Sequence, residues 1–316
     1  MGPSKFFAKA CFAATLAKTF LSEGAPDYLI NMDAGIGDDL LCTVILHELR
    51  KRGCKRLWMM SRYREIFENN TDVDRVVPHE LRYPSLARKV GRMILPYYDA
   101  YHPETDQCDP PTSHILSIMC SKAGITGEIT LRPYIVLRPE EIELGTRVPR
   151  QIAIQTSGMA ARLPMKNKQW SQDRFQKVVD SLKNDFSFVH IGSVTDPALD
   201  GVLDLRGKTT IRESAAILHQ STVFVGIVGF VMHLARAVNC RGVIVYGGRE
   251  PAAMTGYTCN ENIETRLPCS PCWRFNTCDY DHECMSQILP EQVVEAIQRQ
   301  ASRANEPLVE DTFVLN

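Results

Sequence analysis

Residues 221–249, STVFVGIVGFVMHLARAVNCRGVIVYGGR, constrain the fold of this chain more than any other stretch. Val223–Val225 form a β-branched and aromatic run that stops at Gly226. Met232–Val238 follow with helical spacing, and Gly242–Tyr246 make a second short apolar run that ends at Gly247-Gly248. Two apolar strands around a short helix are a βαβ unit, which implies a parallel sheet covered on both faces. Ligands bind such sheets at the carboxyl ends of the strands, where helix N-termini point free N–H groups outward. The Gly turns at 226–229 and 247–248 both lie at carboxyl ends of strands. The first opens directly into a helix, as an anion cradle for a diphosphate would. An ordinary crossover with glycines for tight turns gives the same pattern, so the stretch decides the fold class and leaves the function open.

The rest of the chain repeats this rhythm. Tyr28–Met32 reads as a buried strand, DAGIGDD at 33–39 as a Gly-rich turn and Leu40–Arg50 as a helix. The turn places Asp38 and Asp39 at the helix N-terminus, where a carboxylate caps the helix and complements its dipole, or serves as a base facing a cleft. Strands are expected at Arg56–Met60 and Val73–Val77, and helices at Tyr63–Asn69, Leu86–Leu95 and His114–Ala123, with an irregular loop at 96–113. A second α/β series begins at Gln151–Ile154. It continues through an amphipathic helix at Trp170–Lys183, a strand at Phe186–Ile191, a short strand at Val202–Leu205 and a helix at Thr210–Gln220 opened by a Thr210/Glu213 capping box. Pro290–Arg303 reads as a closing helix, followed by a polar tail.

A chain of 316 residues can bury two cores. The Pro-broken RVPR at 147–150 is a natural linker. The expectation is therefore two Rossmann-like doubly wound α/β domains, 1–148 and 149–316, facing each other across a cleft. An N-terminal amphipathic helix is expected in KFFAKACFAATLAKTFLSEG. Its longest apolar run is about six residues, interrupted by Lys9 and Lys18, too short for a membrane span or a signal-peptide core.

A net charge of −1 without a long basic run argues against nucleic acid as the main partner. The chain has eleven cysteines, and Cys11, Cys42, Cys54, Cys108, Cys120 and Cys240 are scattered without local pairing, which fits reduced thiols and a cytoplasmic location. Cys269, Cys272, Cys278 and Cys284 differ: they are spaced C-x2-C-x5-C-x5-C within residues 268–285. Four thiolates at that spacing can close a tetrahedral zinc or iron site, with His282 as a substitute ligand, and the role would be structural because no position stays open to water. The alternative is four free cysteines in a loop.

Several segments in one order carry a resemblance to a known family. They are GIGDDLL at 35–41, KNKQWSQDRFQKVV at 166–179, FVHIGSVTD at 188–196, DLRGKTTIRESAAIL at 204–218, FVGIVGFVMHLARAVNCRGVIVYGG at 224–248 and the Cys-rich ending at 268–293. The chain resembles the heptosyltransferase-type glycosyltransferases, glycosyltransferase family nine, of GT-B fold. The likeness runs over most of the chain and is strongest from Trp170 to Val294. The Cys-rich ending looks like that of autotransporter heptosyltransferases, where it holds an iron.

The resemblance implies inverting transfer of a sugar from a nucleotide-diphosphate donor, typically ADP-heptose, to the hydroxyl of an acceptor glycan, protein or small molecule. It implies Asp38 as general base and Lys168, with Lys166 as its close neighbour, on the donor phosphate or sugar. Asp196 would hold the ribose, and the amides of Gly229 and Phe230 would receive the diphosphate. Gly37, Met232, His233 and Gly247 complete the implied donor-binding set. Backbone N–H groups and a lysine can stabilise a leaving diphosphate without a divalent metal. A homo-oligomer is compatible with this picture.

One departure stands out. Family members carry an acid, a small residue and Gly before the Met-His pair, and this chain has Val228-Gly229-Phe230. That leaves a catalytically inactive nucleotide-sugar-binding or scaffold protein, or a sugar-nucleotide epimerase, as alternatives.

Overall fold

The computed structural model of the protein describes residues 21–22, 24–78 and 92–316. Residues 5–20 and 23 of the expected N-terminal helix, and residues 86–91 of the expected helix Leu86–Leu95, lie outside them.

The N-terminal half begins with strand β1 (Tyr28–Asn31), helix α1 (Ile36–Lys51) and strand β2 (Leu57–Ser61). A 3-10 turn at Arg64–Phe67, β3 (Arg75–Pro78) and β4 (Arg92–Ile94) follow. These strands form a parallel sheet in the order β3-β2-β1-β4. Arg92–Ile94 were expected to end a helix. They are instead an edge strand, because Tyr28–Ile30 present a free edge with which they pair in register. The loop expected at 96–113 holds a small hairpin, β5 (Tyr101–His102) with β6 (Gln107–Cys108). Helix α2 (Ile115–Lys122), β7 (Gly127–Thr130) and the short α3 (Pro139–Glu143) lead to the second half.

That half contains β8 (Gln151–Ile154), α4 (Gln172–Leu182), β9 (Ser187–His190), β10 (Leu203–Asp204), α5 (Ile211–His219), β11 (Val223–Ile227), α6 (Phe230–Ala237) and β12 (Gly242–Gly247). It closes with α7 (Ala252–Thr255), β13 (Glu261–Glu264), α8 (Glu283–Ser286) and α9 (Pro290–Ser302). Its six strands are parallel, in the order β10-β9-β8-β11-β12-β13. The βαβ unit sits at the centre, as the apolar runs require. The tail is not merely polar: β14 (Thr312–Leu315) pairs antiparallel with β7 of the first half. Its Phe313 and Leu315, two residues apart and so on one face of the strand, pack on the core.

Strand alternation splits the second half's apolar residues between two layers. Ile152, Ile154, Val223, Val225, Val243 and Val245 face Phe175, Val178 and Val179 of α4 and Val293 and Ile297 of α9. Ala153, Phe224 and Ile244 face the other way and join a cluster that includes Met232 and Leu234 of α6 and Leu40, Leu41 and Val44 of α1. The two sheets are thus joined through apolar packing of α1 against α6. That contact brings the N-termini of both helices to the same place.

Candidate active site

The turn at 33–39 ends in Gly35, which caps α1 in an extended conformation and has no side chain to satisfy the first-turn donors. Asp38 supplies the missing cap: its Oδ2 accepts from the Gly35 N–H at 2.8 Å, while its Oδ1 accepts from the Tyr98 hydroxyl at 2.7 Å. Burial raises the Asp38 carboxyl, and the two hydrogen bonds pull against it. Asp39, one residue on, points elsewhere, because adjacent helical residues do not share a face. It is buried and bonded to Ser61 of β2, and burial pushes it up to about 7.

Opposite this turn lies the N-terminus of α6. Gly37 packs so closely there that a Cβ on it would stand 3.6 Å from the Phe230 Cα. Helix α6 is capped by Gly229, again without a side-chain cap, and its first-turn N–H groups have no partner within the helix. A Cβ placed on Gly229 would meet no atom within 4 Å.

Lys168 comes from a 3-10 turn at Lys166–Lys168, and its Nζ donates to Glu250 Oε2 at 3.0 Å. Glu250 follows β12 and is 4% exposed. It also accepts from Arg249 and, at 3.1 Å, from the Thr255 hydroxyl. Burial lowers the Lys168 ammonium and the adjoining Arg249 lowers it further, whereas Glu250 and Asp38 oppose both. Burial alone would raise Glu250, but Lys168 and Arg249 hold it below the ordinary carboxylate range. A half-buried base, an amide-lined helix end and a half-buried lysine therefore share one electrostatic neighbourhood.

The remaining expected residues are placed as follows. His233 is buried, its Nδ1 is 2.7 Å from the Tyr257 hydroxyl, and burial holds it down at about 3, so the ring is neutral at physiological pH. Met232 is fully buried in the core, its sulfur accepting from Tyr246, which leaves only its backbone N–H for a ligand. Lys166 is exposed. Asp196 turns back on its own loop, accepting from the Ser193 N–H at 3.1 Å, and burial raises it to about 6. The second Gly turn does not face the cleft as expected. A Cβ on Gly247 would overlap the Met285 sulfur at 2.0 Å, and one on Gly248 the Ser270 hydroxyl at 2.2 Å. These glycines admit the Cys-rich loop against the end of β12. Sequence reasoning missed Tyr98 and Glu250: neither lies in a motif, and their positions follow from packing alone.

Residues 151–280 match the sequence model of glycosyltransferase family 9 (heptosyltransferase). That stretch is similar to the family over these residues. Among curated proteins none matches the chain. The chain resembles several solved structures. One is the family 9 glycosyl transferase of Veillonella parvula, at 14% identity over 88% of this chain and 97% of that one, with a TM-score of 0.66. Another is the iron-containing dodecameric glycosyltransferase TibC of enterotoxigenic E. coli, at 17% identity over 89% of this chain and 77% of that one, with a TM-score of 0.69. E. coli ADP-heptose lps heptosyltransferase II matches at 13% identity over 88% and 99% of the two chains, with a TM-score of 0.59. Likeness at such low identity establishes the fold, which is GT-B.

The four clustered cysteines line one cavity of about 280 Å³, together with His282, Arg274 and Asn167. Burial raises the Cys284 thiol, and the nearby thiols of Cys272, Cys278 and Cys269 raise it further. The donor set is one that zinc or iron takes. The thiols line the cavity without converging: among the described residues no three His, Cys, Asp or Glu side chains are grouped closely enough to hold a metal ion. The loop is tied to the N-terminal half. Asp106 Oδ2 accepts from the N–H groups of Asn276 and Thr277, both at 2.7 Å, and Tyr101 stacks on Phe275. No helix among the described residues is long and apolar enough to cross a membrane.

Proposed function

We propose that the enzyme moves a heptosyl group from ADP-heptose to an acceptor hydroxyl, with inversion at the anomeric carbon. The observation that carries this reading is the approach of Gly37 to Phe230, which sets the Asp38 turn against the N-terminus of α6. Lys168 enters the same neighbourhood from a third element.

Each part has a chemical task in such a transfer. The acceptor oxygen attacks the anomeric carbon as its proton passes to Asp38, and the bond from that carbon to the diphosphate oxygen breaks, releasing ADP. Asp38 suits the base because burial raises its proton affinity above that of an exposed carboxylate. The N–H groups at the start of α6 and the Lys168 ammonium suit the negative charge that grows on the diphosphate. A neutral His233, held by Tyr257, adds no competing charge.

TibC has been solved with ADP-D-beta-D-heptose, which supports this donor. The donor-side residues on this reading are Gly37, Lys168, Gly229, Phe230 and the N–H of Met232. The acceptor is a glycan, a protein or a small molecule. TibC is dodecameric and iron-containing. A homo-oligomer is part of the proposal, and so is a zinc or iron ion at Cys269, Cys272, Cys278 and Cys284, which would have to draw together around it from the cavity they line.

The test combines ADP calorimetry with ADP release from ADP-heptose across an acceptor panel. Asp38→Asn is expected to lower kcat by about 10²–10⁴-fold while ADP affinity changes by less than about threefold. Failure to consume any nucleotide sugar, or full activity in Asp38→Asn, would overturn the proposal.

A further inference from the structure

We propose that Glu250 is a positioning residue of the donor site, holding the Lys168 ammonium in place and charged beside the N-terminus of α6. The inference rests on the reading of Lys168 as a diphosphate contact.

Glu250 is built to stay where it is. Its side chain is 4% exposed, against 15% for Lys168. One oxygen accepts from Lys168 at 3.0 Å and from Arg249, and the other from Thr255 at 3.1 Å. Both partners are anchored to the same segment of the Cys-rich loop. The Arg249 Nε donates to the Arg274 carbonyl at 2.9 Å, and its guanidinium lies 5.6 Å from the Trp273 ring centre and 5.0 Å from that of Phe275. Asn167, next to Lys168, is buried. Its N–H donates to the Phe275 carbonyl at 3.0 Å and its amide to the carbonyls of Arg274 and Thr277 at 3.2 and 2.8 Å.

The charges around Lys168 show what the carboxylate does. Arg249 adds a second cation from the segment after β12, and Asp38 faces Lys168 from α1. Neutral His233 lies nearby on α6, and Tyr98 is bonded to Asp38. Glu250 is the one anion in hydrogen-bonding contact with Lys168 among the described residues. An ammonium has three protons. One goes to Glu250, which fixes the direction of the others and leaves them for a ligand. Without that anion a buried lysine next to an arginine sheds its proton readily.

The experiment is calorimetric titration of the full chain with ADP at about pH 7 and about pH 9.5, a window below the ordinary lysine value. The wild type, in which burial already lowers Lys168, sets the reference slope. Glu250→Gln is expected to lose about two- to tenfold more affinity than the wild type between the two pH values, because a one-unit fall in the lysine's pKa halves the ammonium at a pH equal to the new value and approaches a tenfold loss above both values. Glu250→Asp, which keeps the charge and guards against a folding defect, should keep the wild-type slope. Parallel profiles for Glu250→Gln and wild type, or a slope in Glu250→Asp equal to that of Glu250→Gln, would overturn the proposal. A wild-type protein that binds no ADP at either pH overturns the donor reading itself, and this inference with it, so the two failures are told apart.

Discussion

Arg212 offers a sharp test of how the two halves are held together. It stands in the first turn of α5, is 6% exposed, and reaches across to the N-terminal half and the connecting segment. Its Nε and Nη2 donate to the two oxygens of Glu141 at 2.7 and 2.6 Å, a bidentate fork. It also donates to the carbonyls of Val136 at 2.7 Å and Glu65 at 3.1 Å. The hydrogen bonds from Arg212 carry the Glu141 carboxyl from its ordinary value of 4.5 down to about 2. In full, such a displacement corresponds to roughly 3 kcal/mol at neutral pH. Glu141 is 17% exposed and also accepts from the Arg138 N–H, so about 2 kcal/mol falls to the pair. Two carbonyls left without a donor add about 1 kcal/mol.

Arg212→Ala should therefore lower unfolding free energy by about 3 kcal/mol, at the lower end of what breaking a buried ion pair costs. The pH dependence fixes the cause. A carboxyl whose folded value is depressed contributes stability above its unfolded value, and loses that contribution as pH falls through the folded one. The gap between wild type and Arg212→Ala, measured by urea unfolding, should be fully open at pH 7. It should narrow to about 1 kcal/mol as pH falls from 4.5 towards about 2. A gap below about 1 kcal/mol at neutral pH, or one that stays constant in acid, would refute this account.

Two further outcomes follow from the site. Tyr98→Phe removes a hydroxyl that favours ionised Asp38, so the acid limb of the pH profile of kcat/KM should move to higher pH by about one unit; an unchanged or lower limb would exclude Asp38 as the titrating base. Elemental analysis of the purified protein should find about one equivalent of zinc or iron, lost on replacing Cys269 and Cys272 by serine; less than about half an equivalent in the wild type would leave the cysteines as free thiols.

The glycine turns show how far a single chain of letters could be read. Gly35 and Gly229 stand between a strand and a helix, and local geometry obliges each to open a helix N-terminus, so both were legible. Gly247-Gly248 has the same local signature, yet faces the Cys-rich loop, because what a glycine admits depends on which neighbour arrives. Asp38 could be placed at a helix end but not given a partner, since Tyr98 reaches it from sixty residues away. Glu250 was invisible for the same reason: nothing local distinguishes it from any acid after a strand.

The sequence by itself determined the periodicities: two βα series, the parallel sheets, the helix N-termini at Asp38 and Gly229, and the thiol-rich loop. These follow from side-chain alternation and backbone sterics acting within a few residues. The tertiary structure decided which of those ends meet, and hence which buried charges share a space. It seated α1 on α6, returned Thr312–Leu315 to β7, and set Glu250 between Lys168 and Arg249. Such pairings are chosen by long-range packing and by the cost of burying a charge without a counterion, neither of which is written in any local stretch of the chain.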